Sequence, residues 1–343
     1  MKKLSKDCNI PVLVKKKKVV VIGGGTGAYT VLSGLRKYPL ELSVIITMMD
    51  SGGSNRVIRD EFGLLPTSDI RQCMVALASD KSHELLRKLF TYRYSVGTGI
   101  SGMTFGNLFM AALTDIFGSQ EQAIQKTCEM LDVQGQIFPV TYDSVELLAR
   151  YDNGKQILGE HYIDEPDDEQ GKHKIVELEV IPEARVNPKA LKAIKEADLI
   201  ILGPGDLYTS IICNLVVDGV AHATTTSKAK KVFIMNLMTK FGQTFGFYAS
   251  DHIQTLETYL GKGVIDYCLV NKVNHYSKSV LERYKEEKAF VVKDDLGNPS
   301  AIKVIRRKLS SKKVFVKPGS DKLKRSLIRH DQTNLARAIV SLL

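Results

Sequence analysis

The chain has 343 residues, 44% of them hydrophobic, which is enough for one large α/β domain or two modest ones and excludes a chain that stays unfolded. Its formal charge of +10 raises nucleic acid as a partner, but much of the excess sits in Lys15–Lys18 and Lys303–Arg329, without interleaved aromatics or a recognition helix. A solvated basic face, or attraction of an anionic ligand, is expected instead.

No signal-peptide h-region fits before Lys15–Lys18 and no later run approaches a membrane span, so the expected location is the cytoplasm, with neither membrane nor nucleic acid as partner. The five cysteines and seven histidines lie far apart, without the spacing of a zinc or redox site, and are expected to be structural.

The first element is the β-branched run Lys18–Ile22, which suits a strand buried on both faces and ends in Gly23-Gly24-Gly25-Thr26-Gly27. Tyr29–Tyr38 then places Val31, Leu32 and Leu35 at helical spacing, and Leu42–Met49 is again strand-like. This predicts a β-loop-α-β unit with parallel strands. The glycine-rich segment Ser51–Asn55 reads as a flexible loop, and Asp69–Ala78 as a helix with Asp69 as its N-cap. Further helical stretches are expected at Leu85–Phe90, Asn107–Phe117 and Gln120–Leu131, the second following a loop at Gly97–Gly106. Ile137–Thr141 follows them. From Tyr151 to Ile181 alternating segments and turn signals predict a β-hairpin-rich excursion with an acidic loop at Asp164–Glu169.

Helix and buried strand return in Pro188–Ala197 and Asp198–Leu202, the latter ending in Gly203-Pro204-Gly205-Asp206. Thr209 and Ser210 read as caps for a helix over Ile211–Val217. Val232–Asn236 and Val264–Val270 supply two more strands, and Gln332–Leu343 a closing helix. The expected architecture is a doubly wound, mostly parallel, Rossmann-like α/β sheet. Residues 1–17 are expected to form an N-terminal extension and 18–343 a single domain, with a β-rich excursion at about 151–186 and a variable basic part at about 286–343.

Gly23, Gly25 and Ala28 satisfy the G-x-G-x-x-G/A spacing between a strand and a helix, where backbone amides can receive a phosphate. Asp50 ends the second strand at the place of a ribose-binding acid. It could bind a sugar hydroxyl, hold a divalent ion or act as a base. Gly52, Gly53 and Ser54 behind it form a second anion-binding concavity. Two such loops on adjacent strands suit a ligand with more than one anionic or polar group. Asp69 and Arg71 are either a cap and a surface arginine or ligand contacts.

These runs, together with Asp60–Pro66, Ser68–Cys73, Ser101–Asn107, Gly203–Ser210, Asn236–Thr239 and Ser250–His252, resemble the successive motifs of the gluconeogenesis factor (YvcK-like) family. That family is similar in fold to 2-phospho-L-lactate transferase (CofD-like). The resemblance implies that Gly24, Gly25, Thr26 and Gly27 line nucleotide phosphates, with Asp50 near the transfer site of the transferase branch. It implies that Asn107, Gly203, Gly205 and Asp206 close the cleft, that Asn236 and Thr239 lie at another strand's carboxyl end, and that Tyr284 and Arg329 contact a nucleotide sugar. Ser51 stands where the family has a second loop acid, which leaves fewer carboxylates for magnesium. The resemblance thus implies a regulatory protein that binds a UDP-sugar or other nucleotide diphosphate and links carbon metabolism with cell-wall synthesis and cell shape. The alternative is a transferase moving a phospholactyl group from a nucleotide diphosphate donor to a deazaflavin, and Mg2+ enters only there. Self-association is left open.

Overall fold

The computed structural model describes residues 16–79, 84–272, 276–297, 301–315 and 326–343. The expected N-terminal extension as far as residue 15, with Cys8, lies outside these residues, as does 316–325 of the basic C-terminal stretch.

In chain order the elements are β1 (Lys17–Ile22), α1 (Gly25–Leu35), β2 (Leu40–Ile46), α2 (Gly53–Phe62), α3 (Ser68–Leu77), α4 (Glu84–Thr91), α5 (Phe105–Phe117), α6 (Gln120–Met130) and β3 (Gln136–Pro139). There follow β4 (Glu146–Tyr151), β5 (Gln156–Leu158), α7 (Glu160–Asp164) and β6 (Ile175–Ile181), then α8 (Pro188–Glu196) and β7 (Leu199–Leu202). A wide π-helical turn, Leu207–Ile212, runs into α9 (Cys213–Leu215). The chain closes with α10 (Val220–Thr226), β8 (Lys230–Ile234), α11 (Ala249–Leu260), β9 (Tyr267–Asn271), α12 (Lys278–Glu286), β10 (Lys303–Arg307) and α13 (Gln332–Val340).

Seven strands form one parallel sheet in the order β10-β9-β8-β7-β1-β2-β3. The chain leaves β1 toward β2 and β3 and later returns to the other side of β1 through β7, so the order reverses between β1 and β7. In doubly wound sheets such a reversal opens a crevice at the carboxyl ends of the strands. Alternation along each strand sends side chains to both faces. Val20, Ile22, Ile200, Leu202 and Phe233 join one buried layer, and Val19, Val21, Ile201, Val232 and Ile234 the other.

The β-rich excursion is a three-stranded sheet in the order β5-β4-β6, with both pairs antiparallel. It begins at Glu146, earlier than its turn signals. Leu147, Ala149, Tyr151, Ile163 and Leu178 pack into the same buried layer as Val20 and Ile200, and the Tyr208 hydroxyl donates to the Ile175 carbonyl at 2.9 Å. The excursion is thereby held against the main sheet.

Several local expectations are corrected. The loop after Asp50 is short, because α2 starts at Gly53. Asp69 lies inside the first turn of α3, and the residue before that helix is Thr67. Asn107 sits in the first turn of α5, where its N–H bonds to the capping hydroxyl of Thr104. Thr209 and Ser210 lie within the π-helical turn, and the residue before α9 is Ile212. β10, from the basic segment, is an unforeseen edge strand: its Lys and Arg side chains hid the apolar pattern, and charge is what an edge tolerates.

Helix α1 packs along α3 and α13 so tightly that a Cβ built on Gly34 would stand 2.3 Å from the Gln332 carbonyl oxygen. Helix propensity alone favours alanine over glycine by about 1 kcal/mol, whereas overpacking costs about 1–3 kcal/mol. The clash involves backbone that cannot rotate away. Gly34→Ala is therefore expected to lower the thermal midpoint, measured by circular dichroism, and a raised midpoint would show that α13 can move aside freely.

Candidate functional site

The carboxyl ends of β1, β2, β7 and β8 surround a cleft of about 340 Å³. Its floor is the glycine turn after β1. Gly25 has φ +53°, a backbone that side chains resist, α1 starts there with no side-chain cap, and Gly25, Thr26 and Gly27 of its first turn line the cleft. Opposite stands the turn after β7. A Cβ on Gly27 would lie 1.8 Å from the Pro204 carbonyl oxygen, and one on Gly24 would lie 2.8 Å from an Asp69 carboxylate oxygen and 3.3 Å from Ser210 Oγ. The glycines thus serve two purposes. They leave the backbone at the start of α1 without side chains over it, and they let two turns and an acid meet.

Asp50 is engaged in shaping the second loop. Its Oδ1 accepts from Gly52 N at 2.9 Å and its Oδ2 from Asn55 Nδ2 at 2.6 Å. Behind it a buried polar chain continues: Asn55 Oδ1 accepts from Ser68 Oγ at 2.7 Å, and Asn107 Nδ2 donates to Ser68 Oγ at 3.0 Å. Asn107 Oδ1 then accepts from Arg71 Nε at 3.0 Å. Arg71 also donates to the Phe90 carbonyl. Arg71 and Asn107 are buried in this network, and these two, Gly53, Ser54 and Gly203 lie outside the cleft lining.

The other sequence-chosen residues converge. Gly24, Gly25, Thr26, Gly27, Asp50, Gly52, Asp69, Gly205, Asp206, Asn236, Thr239, Tyr284 and Arg329 all line the cleft. Asn236 Nδ2 donates to the Gly205 carbonyl at 2.8 Å, and its Oδ1 is buried without a partner. The Tyr284 hydroxyl accepts from Leu327 N and Ile328 N at 2.9 and 3.0 Å, so this tyrosine fixes the segment that presents Arg329. The Arg329 guanidinium stacks 3.3 Å from the centre of the Phe315 ring. Burial lowers the adjacent His330 to about 4, so its ring is neutral.

Residues 19–310 match the family described as 2-phospho-L-lactate transferase CofD. The chain belongs to the CofD family. Among curated relatives, a putative gluconeogenesis factor of Thermotoga maritima is 40% identical, covering 94% of this chain and 98% of its own length. The gluconeogenesis factor of Bacillus subtilis is 34% identical, covering 96% and 99%. A crystal structure from Bacillus halodurans, described as a member of the UPF0052 family, superposes with a TM-score of 0.85 at 34% identity, covering 95% of this chain and 99% of that one. The parallel sheet and its antiparallel companion are thus the fold of this CofD family member.

Sequence reasoning missed the cleft's second wall, which comes from the excursion and from the segment after β8. In α7, Ile163 is fully buried and anchors the helix, so that Glu160, His161 and Asp164 line the cleft. Glu160 Oε2 accepts from Ser51 N at 3.2 Å, and Ser51 Oγ accepts from His161 N at 3.0 Å. Lys240 Nζ lies 2.9 Å from Asp164 and 3.7 Å from Asp206. Burial works against the Lys240 ammonium, but the two carboxylates outweigh it and hold its pKa above the ordinary lysine value. Burial pushes Asp206 up despite Lys240. The only signal of this wall was the acidic run beginning at Asp164.

The wall is strongly acidic, and Glu160 responds to it. Burial first, then the charges of Asp50 and Asp164, raise its carboxyl well above the usual range. The folded chain therefore holds a proton there that the unfolded chain has released, and stability falls as pH rises from about 4.5 toward the raised value. Glu160→Gln removes this titration. Denaturant unfolding across pH 5–9 is expected to give a flatter stability profile for the variant, with its largest relative gain at the alkaline end, and parallel profiles would disprove the assignment.

Proposed function

We propose that this CofD family protein binds a nucleotide sugar, of the UDP-sugar class, at the carboxyl edge of its sheet. The carrying observation is the uncapped start of α1 inside the glycine turn, which directs backbone amides and the positive end of a helix dipole into the cleft. The diphosphate is assigned to Gly24–Gly27 and the β7 turn. The neutral His330 and the Arg329 guanidinium, held by its stack on Phe315, suit the less charged, planar part of such a ligand. Asp69 and Asp50 are assigned as acceptors for sugar hydroxyls. The names of the matched relatives support a role in carbon metabolism. We extend it to a regulatory link with cell-wall synthesis and cell shape, exercised through ligand occupancy in a cytoplasmic protein.

The transferase reading is kept because of Glu160. The family's second loop acid is replaced by Ser51, but α7 sets another carboxyl, Glu160, close enough to Asp50 for the Asp50 charge to raise it. Among the described residues no group of three or more potential ligands has metal-binding spacing. Magnesium, which readily completes its shell with substrate phosphates, would have to arrive with the nucleotide and be held by Asp50 and Glu160. It would neutralise phosphate charge during transfer.

Calorimetry with UDP-sugars, in EDTA and in magnesium, separates the readings. A UDP-sugar carries a pH-independent diphosphate charge, so the binding protein is expected to bind it in EDTA and to bind less tightly as pH rises and Glu160 ionises. Strict magnesium dependence, together with coupled product from a deazaflavin and an activated phospholactate donor, would favour the transferase.

A further inference from the structure

Two buried side-chain atoms of the cleft lining have no hydrogen-bond partner among the described residues, Asn236 Oδ1 and His330 Nε2. Both are acceptors. Asn236 follows β8, and its Nδ2 donates to the Gly205 carbonyl at 2.8 Å. Turning the amide over would set two carbonyl oxygens against each other, so the orphan atom is the oxygen. The His330 ring is hydrogen-bonded to the Met235 backbone, and Met235 N already donates to the Leu269 carbonyl, so the ring donates to the Met235 carbonyl. With Nε2 unpartnered, that donor is Nδ1–H. Burial keeps the ring neutral, and Nε2 therefore carries a lone pair and no proton.

The two acceptors belong to one corner of the cleft. Met235, which holds the His330 ring, directly precedes Asn236, and Leu237 packs with Ile328 and Tyr284 in a small apolar cluster. The backbone around His330 is fixed as well, by a bridge to Ser310 and by the bond from Asp331 N to the Leu309 carbonyl. A buried acceptor without a donor is costly, and two acceptors cannot satisfy each other. A ligand group that brings hydrogen-bond donors to this corner removes that cost, which makes the corner selective for such a group.

We infer that Asn236 Oδ1 and His330 Nε2 receive the two hydroxyls of a ribose, so that the cleft takes ribonucleotides in preference to their deoxy forms. The inference rests on the nucleotide reading and deepens it. Asn236 is tied to Gly205, in the turn to which the diphosphate is assigned, and the ribose is the unit next to the diphosphate in any nucleoside diphosphate. Its vicinal hydroxyls offer two rotatable donors, one for each acceptor. A uracil edge would instead bring a single N–H flanked by two carbonyl oxygens, and those would meet acceptors. The edge of the His330 ring is thereby assigned to the ribose, and Arg329 beside it is left for the base. A site built to bond a hydroxyl rejects the analogue lacking it, because the acceptor then stays buried and unpaired.

Calorimetry of the full chain compares UDP-glucose with its 2′-deoxyuridine and 3′-deoxyuridine counterparts, and GDP with 2′-deoxy-GDP, since the ribose is common to both bases. Loss of either hydroxyl is expected to weaken binding roughly tenfold. The 2′-fluoro counterpart fills the space but donates nothing, and it should bind no better than the 2′-deoxy form. His330→Asn keeps an amide donor where Nδ1 stood and removes Nε2, so it should bind UDP-glucose less tightly and lose the discrimination at one of the two hydroxyls. His330→Gln, whose amide reaches the Nε2 position, should recover part of both. Equal affinity of ribose and deoxyribose forms for the unmodified chain, an arm that needs no variant, would overturn the inference and leave the nucleotide reading standing. Full discrimination at both hydroxyls in a folded His330→Asn protein would overturn it too, and failure of every nucleotide to bind would remove both readings.

Discussion

The site depends on the contact between the turn after β1 and the turn after β7. These strands are neighbours in the sheet although most of the chain's first two hundred residues separate them, and their turns touch at Gly27 and Pro204, where any side chain on Gly27 would collide with the carbonyl. The contact closes the crevice from below and fixes the start of α1. From it follow the exposed amides, the position of Ser210 beside Gly24 and the alignment of Asn236 with Gly205. The cost of placing so many glycines in a buried region is met by the strands they join, which are covered on both faces.

Above this floor the cleft sets acids against a ligand of the same sign. Asp50, Asp69, Glu160, Asp164, Glu165, Asp206 and Glu287 face it, with Lys240 and Arg329 as cations. Two devices limit the repulsion. Lys240 is clamped between Asp164 and Asp206, and burial and the neighbouring carboxylates raise Glu160 above its ordinary range, which disfavours its charge. Asp69, lying against the glycine turn, already occupies the neighbourhood of the helix N-terminus, as a carboxylate does favourably. An incoming phosphate must share that position or displace the side chain. Under the proposed function the same arrangement would make the cleft selective, because an anion lacking hydroxyls for these acceptors would gain less than it loses.

The parts of this site legible in the sequence are those whose cause is local. Gly23–Gly27 and Gly203–Asp206 stand out because strand, glycines and helix follow one another directly, and the closing helix and buried strands were readable from periodicity. Glu160, Asp164 and Lys240 were not readable as site residues, since nothing near them in sequence signals that a short helix on an antiparallel excursion will fold over the second loop. Arg71 and Asn107 show the opposite difficulty. They belong to motifs that resemble the family's, and the structure places them in the hydrogen-bond network behind the second loop and outside the cleft lining. β10 escaped notice because an edge strand carries charges where a central one cannot.

The central claim is that the diphosphate of a nucleotide sugar rests on the amides at the start of α1. A crystal structure of the full chain with a UDP-sugar tests it directly. The account predicts diphosphate oxygens within hydrogen-bonding distance of the Gly25–Gly27 amides, the nucleoside extending toward Arg329, and Asp69 turned to a hydroxyl. Density for the ligand on another edge of the sheet, with Asp69 still seated against the glycine turn, would contradict it.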